Sequence, residues 1–169
     1  SKGMDFSNVT LVGVISAETS LWMPDFRADE RTFQLLTQVS GRAGRSKQEG
    51  EVIIQTQNHK SFVLQKVLEN NYHDFYLKEI MLRRQNQYPP FSRIALIEIK
   101  HEDEQKVRHA INDFHKRLIK FGDKLQILPP NEAIIVKVKR VYRYQIMIKS
   151  LRRTDPSGKI LRNSIMNAY

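Results

Sequence analysis

The chain has 169 residues, which is enough for one domain or for two small ones that each bury a modest core. Its 40% hydrophobic and 27% charged residues are typical of a folded globular protein, and no apolar run approaches the roughly 20 residues that span a bilayer. Because it contains no cysteine, disulfides and thiolate metal sites are excluded, and we expect a cytoplasmic protein with no membrane partner.

The net charge of +10 is concentrated in the C-terminal half. Residues 91–169 carry 17 Lys and Arg against 8 Asp and Glu, whereas residues 1–58 carry 6 against 7. A polyanion such as nucleic acid is therefore the first partner to consider for residues 91–169. A basic surface that is simply solvated is the alternative, and the charge count alone leaves both open.

Residues 1–58 predict a strand, a helix and a second strand. The apolar, β-branched run at 9–15 is typical of a strand buried on both faces. Within 29–40, Phe33, Leu36 and Val39 recur at helical spacing, and a second apolar strand follows at 52–56. Strand, helix and strand in this order predict a parallel α/β sheet.

Residues 59–90 predict a helical connector. Apolar residues repeat at helical spacing within 61–70 and again within 74–84. Tyr88-Pro89-Pro90 then ends the helical pattern, because a proline restricts the residue before it to extended conformations. We therefore place a domain boundary at these prolines.

Residues 91–169 predict a separate basic domain in the order β-α-β-β-α. Strands are expected at 94–99, 125–128 and 142–148, with an amphipathic helix at 104–121 that ends at Gly122. Asp155-Pro156 is typical of an N-cap followed by the first helical residue, so a last helix is expected from there to the end of the chain.

The segment 137–153 contains seven basic residues and no acidic one, interleaved with Tyr142 and Tyr144. Basic side chains on a strand can follow a phosphate backbone, so phosphate contact is predicted for Arg140, Arg143 and Lys149. The two tyrosines share a strand face with apolar residues, so they either stack on bases or belong to the core. The sequence leaves these two roles open.

The segment that most clearly indicates a functional site is Gln-Val-Ser-Gly-Arg-Ala-Gly-Arg at 38–45. Gln38, Arg42 and Arg45 are offset by four and three residues, which would align them on one edge of a continuing helix. Two guanidinium groups beside glycine-rich backbone suit a phosphate whose charge grows during hydrolysis. The alternative is an ordinary helix C-terminus with glycine stops and surface arginines.

The pattern Gln-x-x-Gly-Arg-x-Gly-Arg resembles motif VI of superfamily 2 helicases, and Ser-Lys-Gly-Met-Asp-Phe at 1–6 resembles motif V. Residues 24–36 and 52–56, with Pro-Pro-Phe at 89–91, resemble the PriA family of primosomal helicases in particular. The resemblance implies an α/β fold: the end of a RecA-like second motor lobe, with a parallel sheet and helices, followed by a small α+β ferredoxin-like domain. That second domain would be ribosomal-protein-like and would lack its last strand.

The resemblance also implies a set of catalytic residues. Arg42 and Arg45 would reach the ATP phosphates across the cleft between two motor lobes, in the manner of arginine fingers. Gln38 would order the same network of contacts.

The other implied site residues are Gly3, Asp5 and Gly41, which would belong to the nucleotide site and couple it to DNA. Lys2 would lie near the DNA backbone. Asp5 has an alternative role as a structural carboxylate that pairs with an arginine of motif VI.

No Gly-x-x-x-x-Gly-Lys-Ser/Thr loop occurs in the chain. We therefore expect ATP and Mg²⁺ to bind only where a first motor lobe completes the site, so that this chain alone is inactive while its full-length parent is an ATP hydrolase. The resemblance implies zinc in the parent only, and the five histidines here show no metal-site spacing.

The leading hypothesis is a fragment of an ATP-dependent primosomal DNA helicase that restarts replication at stalled or branched forks. The partners that the resemblance implies are branched and single-stranded DNA, single-strand-binding protein and other primosome proteins, and a monomer is expected. The alternative is a non-catalytic module that binds nucleic acid or docks a partner protein.

Overall fold

The computed structural model describes residues 10–41 and 51–169 of a mixed α/β protein. The described residues divide into two compact units, one that reaches Met81 and one that runs from Leu82 to Tyr169. No helix within these ranges is long and apolar enough to cross a membrane. The division sharpens the charge asymmetry, because residues 82–169 carry 19 Lys and Arg against 8 Asp and Glu, while residues 1–81 carry 9 against 10.

The first unit combines paired strands with helices. Its strands are β1 (Leu11–Val14) and β2 (Glu51–Ile54), and its helices are α1 (Glu18–Leu21), α2 (Ala28–Ser40), α3 (Phe62–Leu68) and the start of α4 (Tyr72–Gln85). β1 and β2 are parallel, with Leu11 opposite Glu51 and Val14 opposite Ile54. The predicted order of strand, helix and strand and the parallel pairing are therefore confirmed. The expectation of a strand buried on both faces is wrong for the described residues, because β1 alternates between exposed and half-buried positions and Leu11 is 57% exposed.

The core of the first unit is built largely from α2 and α3. Its buried apolar residues include Phe33 and Leu36 of α2 and Val63, Leu64 and Val67 of α3, together with Phe75. The rings of Phe33 and Phe75 stack with centroids 4.4 Å apart. Burial of each such side chain contributes roughly 1.5–3 kcal/mol, so α3 is an integral part of this core. The segment expected to be a separate connector, 59–90, is instead divided between the two units after Met81.

The second unit is a sheet with helices packed on it. Its elements are β3 (Ser92–His101), α5 (Glu104–Leu118), a 3₁₀ turn (Ile119–Phe121), β4 (Gln126–Ile127), β5 (Asn131–Val138), β6 (Val141–Leu151) and α6 (Lys159–Ala168). β6 pairs antiparallel with β3 along almost its whole length. β4 and β5 pair antiparallel with β6 at different positions along its other edge.

The strand β5 is absent from the predicted order β-α-β-β-α, and the described order is β-α-β-β-β-α. β5 pairs with β6 at its two ends, and the register shifts between Glu132 and Lys137. Ile134 and Ile135 lie in this irregular part and are more than half exposed. The alternation of buried and exposed side chains that marks a strand is lost there, which explains why the sequence pattern did not reveal it.

The core of the second unit lies between the helices and β6. The predicted apolar stripe of α5 is confirmed, since Val107, Ile111, Phe114 and Leu118 are all buried. They pack in one cluster with residues of β6, among them Ile146. The α-helix ends three residues before the predicted end at Phe121, because the chain tightens into the 3₁₀ turn ahead of Gly122.

The start of α6 differs from the prediction. The helix begins at Lys159, and Gly158 at φ 77° occupies the N-cap position. Asp155 nevertheless caps the helix from upstream, because its carboxylate accepts hydrogen bonds from Ile160 N at 3.1 Å and Leu161 N at 3.0 Å. Burial raises the pKa of this carboxyl, but these two bonds and one from the Ser150 hydroxyl outweigh it and hold the pKa below the ordinary 3.8.

Candidate nucleic-acid interface

Most of the residues expected at a nucleotide site lie outside the described ranges. These are Lys2, Gly3, Asp5, Arg42 and Arg45. Gln38 and Gly41 are described, and both lie at the C-terminal end of α2. The geometry of the expected nucleotide site therefore stays a prediction.

Gln38 and Gly41 have simple local roles in the described part of the chain. Gln38 is exposed and borders an open groove of about 830 Å³ that is also lined by Arg31, Asn70 and Tyr72. Gly41 donates its N–H to Thr37 O at 3.0 Å and has φ −70°, a helical value that any residue adopts. The backbone of Gly41 therefore does not require the conformational freedom of a glycine, and its expected role at the nucleotide site stays a prediction.

Four basic residues of the second unit lie close to the turn of the hairpin formed by β5 and β6. Arg140 lies in the turn of this hairpin and is exposed. Lys139 precedes it in the same turn, and Lys100 of β3 lies opposite Arg143 of β6 in the sheet register. These four cations place a basic surface at one end of the sheet. We call Lys100, Lys139, Arg140 and Arg143 the hairpin patch.

Arg143 is a neutralised member of the hairpin patch. Its guanidinium group donates to Glu98 Oε2 at 2.6 Å, and both side chains are about 30% exposed. Solvent screens an ion pair between two partly exposed side chains, so the pair contributes little to stability and a phosphate can compete with the carboxylate. Arg143 is therefore positioned for phosphate contact, but Glu98 opposes it.

The assignment of Lys149 as a phosphate contact is not supported by its environment. Its side chain is only 7% exposed, and its ammonium group donates to Asn86 O at 2.8 Å. The same ammonium lies 3.9 Å from the centroid of the Tyr88 ring, and burial lowers its pKa. Lys149 therefore binds the residues that follow α4 and is not presented to a phosphate.

The two tyrosines of β6 are not stacking platforms. Tyr144 is 6% exposed in the core, and its hydroxyl lies 3.0 Å from Glu104 Oε1 and 3.1 Å from Glu132 Oε1. Tyr142 packs against the same core, and the Lys137 ammonium lies 4.2 Å from its ring centroid. Tyr144 is therefore a core residue, and Tyr142 is a half-buried residue that packs against the core.

An open groove of about 530 Å³ borders the hairpin patch and is lined by Lys100, His101, Lys139 and Arg143 among others. Lys100 and Lys139 were not among the predicted site residues. The alternation along β3 places Lys100 on the same sheet face as Glu98, which is the signal that could have identified it. Lys139 had no such signal, because the hairpin turn was not predicted.

The fold and the hairpin patch together define a mixed α/β protein whose second unit presents a surface suited to a polyanion. Residues 84–167 match the family model described as the primosomal protein N C-terminal domain. The match covers nearly the whole second unit, which begins at Leu82.

Curated relatives extend the similarity beyond this domain. The replication restart protein PriA of Bacillus subtilis is 44% identical over 159 residues, which cover 94% of this chain and 20% of the relative. The proteins of the same name from Synechocystis and Borreliella burgdorferi are 39% and 34% identical and cover 88% and 89% of the chain. The chain therefore belongs to the PriA family, and it spans about a fifth of the length of these curated relatives.

Proposed function

We propose that this chain is part of an ATP-dependent DNA helicase that restarts replication at stalled or branched forks. The observation that carries the proposal is the match of residues 84–167 to the primosomal protein N C-terminal domain, extended by relatives named replication restart proteins over 94% of the chain. ATP hydrolysis and unwinding belong, in this proposal, to the longer protein of which the chain forms about a fifth.

The first unit serves in this proposal as the end of a RecA-like second motor lobe. The parallel pair β1 and β2, with α2 between them in sequence, supports this role. Arg42 and Arg45, assisted by Gln38, would contact the phosphates of ATP bound with Mg²⁺ against a first lobe. Guanidinium groups placed there stabilise the charge that develops on the transferred phosphoryl group.

Three residues complete the proposed nucleotide site and its coupling to DNA. The nucleotide would be contacted by Gly3, Asp5 and Gly41, which would couple the nucleotide site to DNA. Lys2 would contact the DNA backbone. The described position of Gly41, at the end of α2 and with ordinary helical φ, is compatible with a glycine kept for close approach.

The second unit serves as a ferredoxin-like DNA-binding domain that helps to hold fork DNA. Support comes from a sheet with α5 packed on one face and from the net positive charge of residues 82–169. We assign phosphate contact to Arg140 and Arg143 and leave Lys149 out, because its ammonium group is buried against Asn86 and Tyr88. Single-strand-binding protein and other primosome proteins remain the expected partners.

The test uses the 169-residue chain and a fluorescently labelled forked DNA, with anisotropy measured over a salt titration. Glu98→Ala releases Arg143 and should strengthen binding, whereas Arg143→Ala leaves Glu98 uncompensated and should weaken it. Arg143→Ala should lower the slope of log affinity against log salt by about 0.9, the value for one phosphate contact, whereas Glu98→Ala should raise the affinity and leave the number of phosphate contacts unchanged.

Matched controls come from α5, where Lys116 and Asp113 form an exposed pair with the same charges. Asp113→Ala and Lys116→Ala change the net charge equally but remove nothing from the hairpin patch. If the α5 variants shift the affinity as much as the Glu98 and Arg143 variants do, the DNA contact is not at the hairpin patch.

A further inference from the structure

The hairpin between β5 and β6 turns on two residues that are poorly suited to the turn. Lys139 has φ 47° and Arg140 has φ 69°, and their neighbours Val138 and Val141 are opposite each other in the register. A two-residue hairpin with positive φ at both central positions favours Asn-Gly, because a side chain with a Cβ is crowded in the left-handed region. Strain of this kind persists where another interaction compensates for it, and it concentrates at functional sites.

The two strained residues are also the ones whose charges have no partner. Within the described part of the chain, the side chains of Lys139 and Arg140 form no ion pair or hydrogen bond, and both are exposed. Their neighbours differ, since Lys137 Nζ lies 2.9 Å from the Tyr142 hydroxyl and Arg143 binds Glu98. The unneutralised charge of the hairpin is therefore at its tip.

The form of nucleic acid that suits this tip is a duplex. Single-strand binding relies on exposed aromatic rings on which bases stack, and the rings of Tyr142 and Tyr144 are taken up by Lys137 and by the core. A two-stranded β-ribbon fits the major groove of B-form DNA, which is about 12 Å wide, whereas the minor groove is about half as wide. In A-form RNA the major groove is too narrow for such a ribbon.

We propose that the tip of the β5–β6 hairpin enters the major groove of duplex DNA, where Lys139 and Arg140 contact phosphates. The proposal rests on the proposed function of the second unit as a DNA-binding domain, and it assigns the contact to a specific element and to the duplex part of a fork. Contact with phosphates compensates for the strained turn and requires no particular base sequence.

The test replaces the tip with the sequence that the turn prefers, Lys139→Asn with Arg140→Gly. A structural role predicts no loss of function, because Asn-Gly relieves the strain and the melting temperature should stay equal or rise. The proposal predicts the opposite for binding: the salt slope on a DNA duplex should fall by about 1.8, the value for two phosphate contacts. Between about 50 and 200 mM salt, wild-type affinity should then drop ~12-fold more than that of the variant.

Three ligands of equal length are compared by anisotropy: a DNA duplex, a single DNA strand and an RNA duplex. The variant should lose affinity mainly for the DNA duplex. A second variant, Lys139→Gln with Arg140→Gln, keeps both Cβ atoms and should lose the same affinity. The control Lys116→Gln with Lys120→Gln removes two charges from the helical side of the same unit and should have little effect.

The outcomes distinguish a failure of DNA binding by the second unit from a failure of the hairpin tip to enter the major groove. If the wild-type chain binds none of the three ligands, DNA binding by the second unit is itself wrong. If it binds them and the tip variants bind the DNA duplex as wild type does, the domain binds DNA and the hairpin proposal is overturned. Equal losses on all three ligands would also overturn it, because they indicate a general charge effect and no entry into a groove.

Discussion

Asp155→Ala should destabilise the second unit by about 2–4 kcal/mol. Asp155 is 2% exposed, and its carboxylate accepts bonds from Ile160 N, Leu161 N and the Ser150 hydroxyl. Loss of a helix cap costs about 1 kcal/mol, and a buried donor left without a partner costs about 1–3 kcal/mol. The free energy of unfolding of a domain is only about 5–15 kcal/mol, so the loss expected for Asp155→Ala is a large fraction of the total stability.

The charge of Asp155 makes part of this contribution dependent on pH. Because the folded-state pKa lies below 3.8, the stabilisation is fully present above that value and is lost as the pH falls through the folded pKa. Asp155→Asn removes the charge while keeping the shape. The stability gap between wild type and Asp155→Asn should therefore be greatest at about pH 7 and should shrink below about pH 3.8.

The assay is urea unfolding of the full chain by circular dichroism, with hydrogen exchange of α6 amides to report on the second unit. Ser150→Ala removes one of the three donors and should cost about 1 kcal/mol. Asp113→Ala, in an exposed pair on α5, should change stability by less than about 0.5 kcal/mol. The capping role of Asp155 is refuted if Asp155→Ala lowers the free energy of unfolding no more than Asp113→Ala does. It is also refuted if the difference in stability between wild type and Asp155→Asn stays the same at low pH.

Two further predictions concern groups whose roles the structure separates. Lys149→Met keeps the apolar stem but removes the hydrogen bond to Asn86 O, so the free energy of unfolding in urea should fall by about 1–2 kcal/mol while the DNA affinity stays unchanged. A clear loss of DNA affinity would restore Lys149 as a DNA contact. The 169-residue chain should show no DNA-stimulated ATP hydrolysis. In the full-length parent, Arg45→Ala or Arg42→Ala should lower the rate of ATP turnover by on the order of a thousandfold and leave DNA binding unchanged. Turnover within about tenfold of wild type would contradict the arginine-finger role.

The elements predicted well from the sequence are those whose side chains alternate between core and solvent with a regular period. The stripe of α5 from Val107 to Leu118 is fully buried, and the run 142–148 lies within β6. β1, α2 and β2 follow the predicted order. For α5 and β6 the hydrophobic period alone determines which face is buried, so tertiary context adds little.

The remaining features depend on contacts between residues that are distant in the sequence. Lys149 was assigned to DNA because its neighbours are basic, yet Asn86, 63 residues earlier, accepts its ammonium proton. The dipeptide Asp155-Pro156 predicts an N-cap followed by the first helical residue, but Arg93 binds the carbonyl of Asp155 at 2.6 Å and the helix begins only at Lys159. No local pattern contains either partner, so neither outcome was predictable.

Charge in the sequence overstates charge available to a phosphate, and the salt dependence of DNA binding measures the difference. Of the seven basic residues in 137–153, three have partners within the described chain: Lys137 binds Tyr142, Arg143 binds Glu98, and Lys149 binds Asn86. The other four, Lys139, Arg140, Arg152 and Arg153, are exposed and form no side-chain ion pair or hydrogen bond in the described ranges. At about 0.9 per phosphate contact, these four residues and Arg143, whose carboxylate partner a phosphate can displace, can contribute a slope of at most ~4.5, whereas seven free cations would give ~6.3. Neutralising all four exposed residues should therefore leave only the contribution of Arg143, about 0.9, and a residual contribution of the segment clearly above that value would show that Lys137 or Lys149 also leaves its partner when DNA binds.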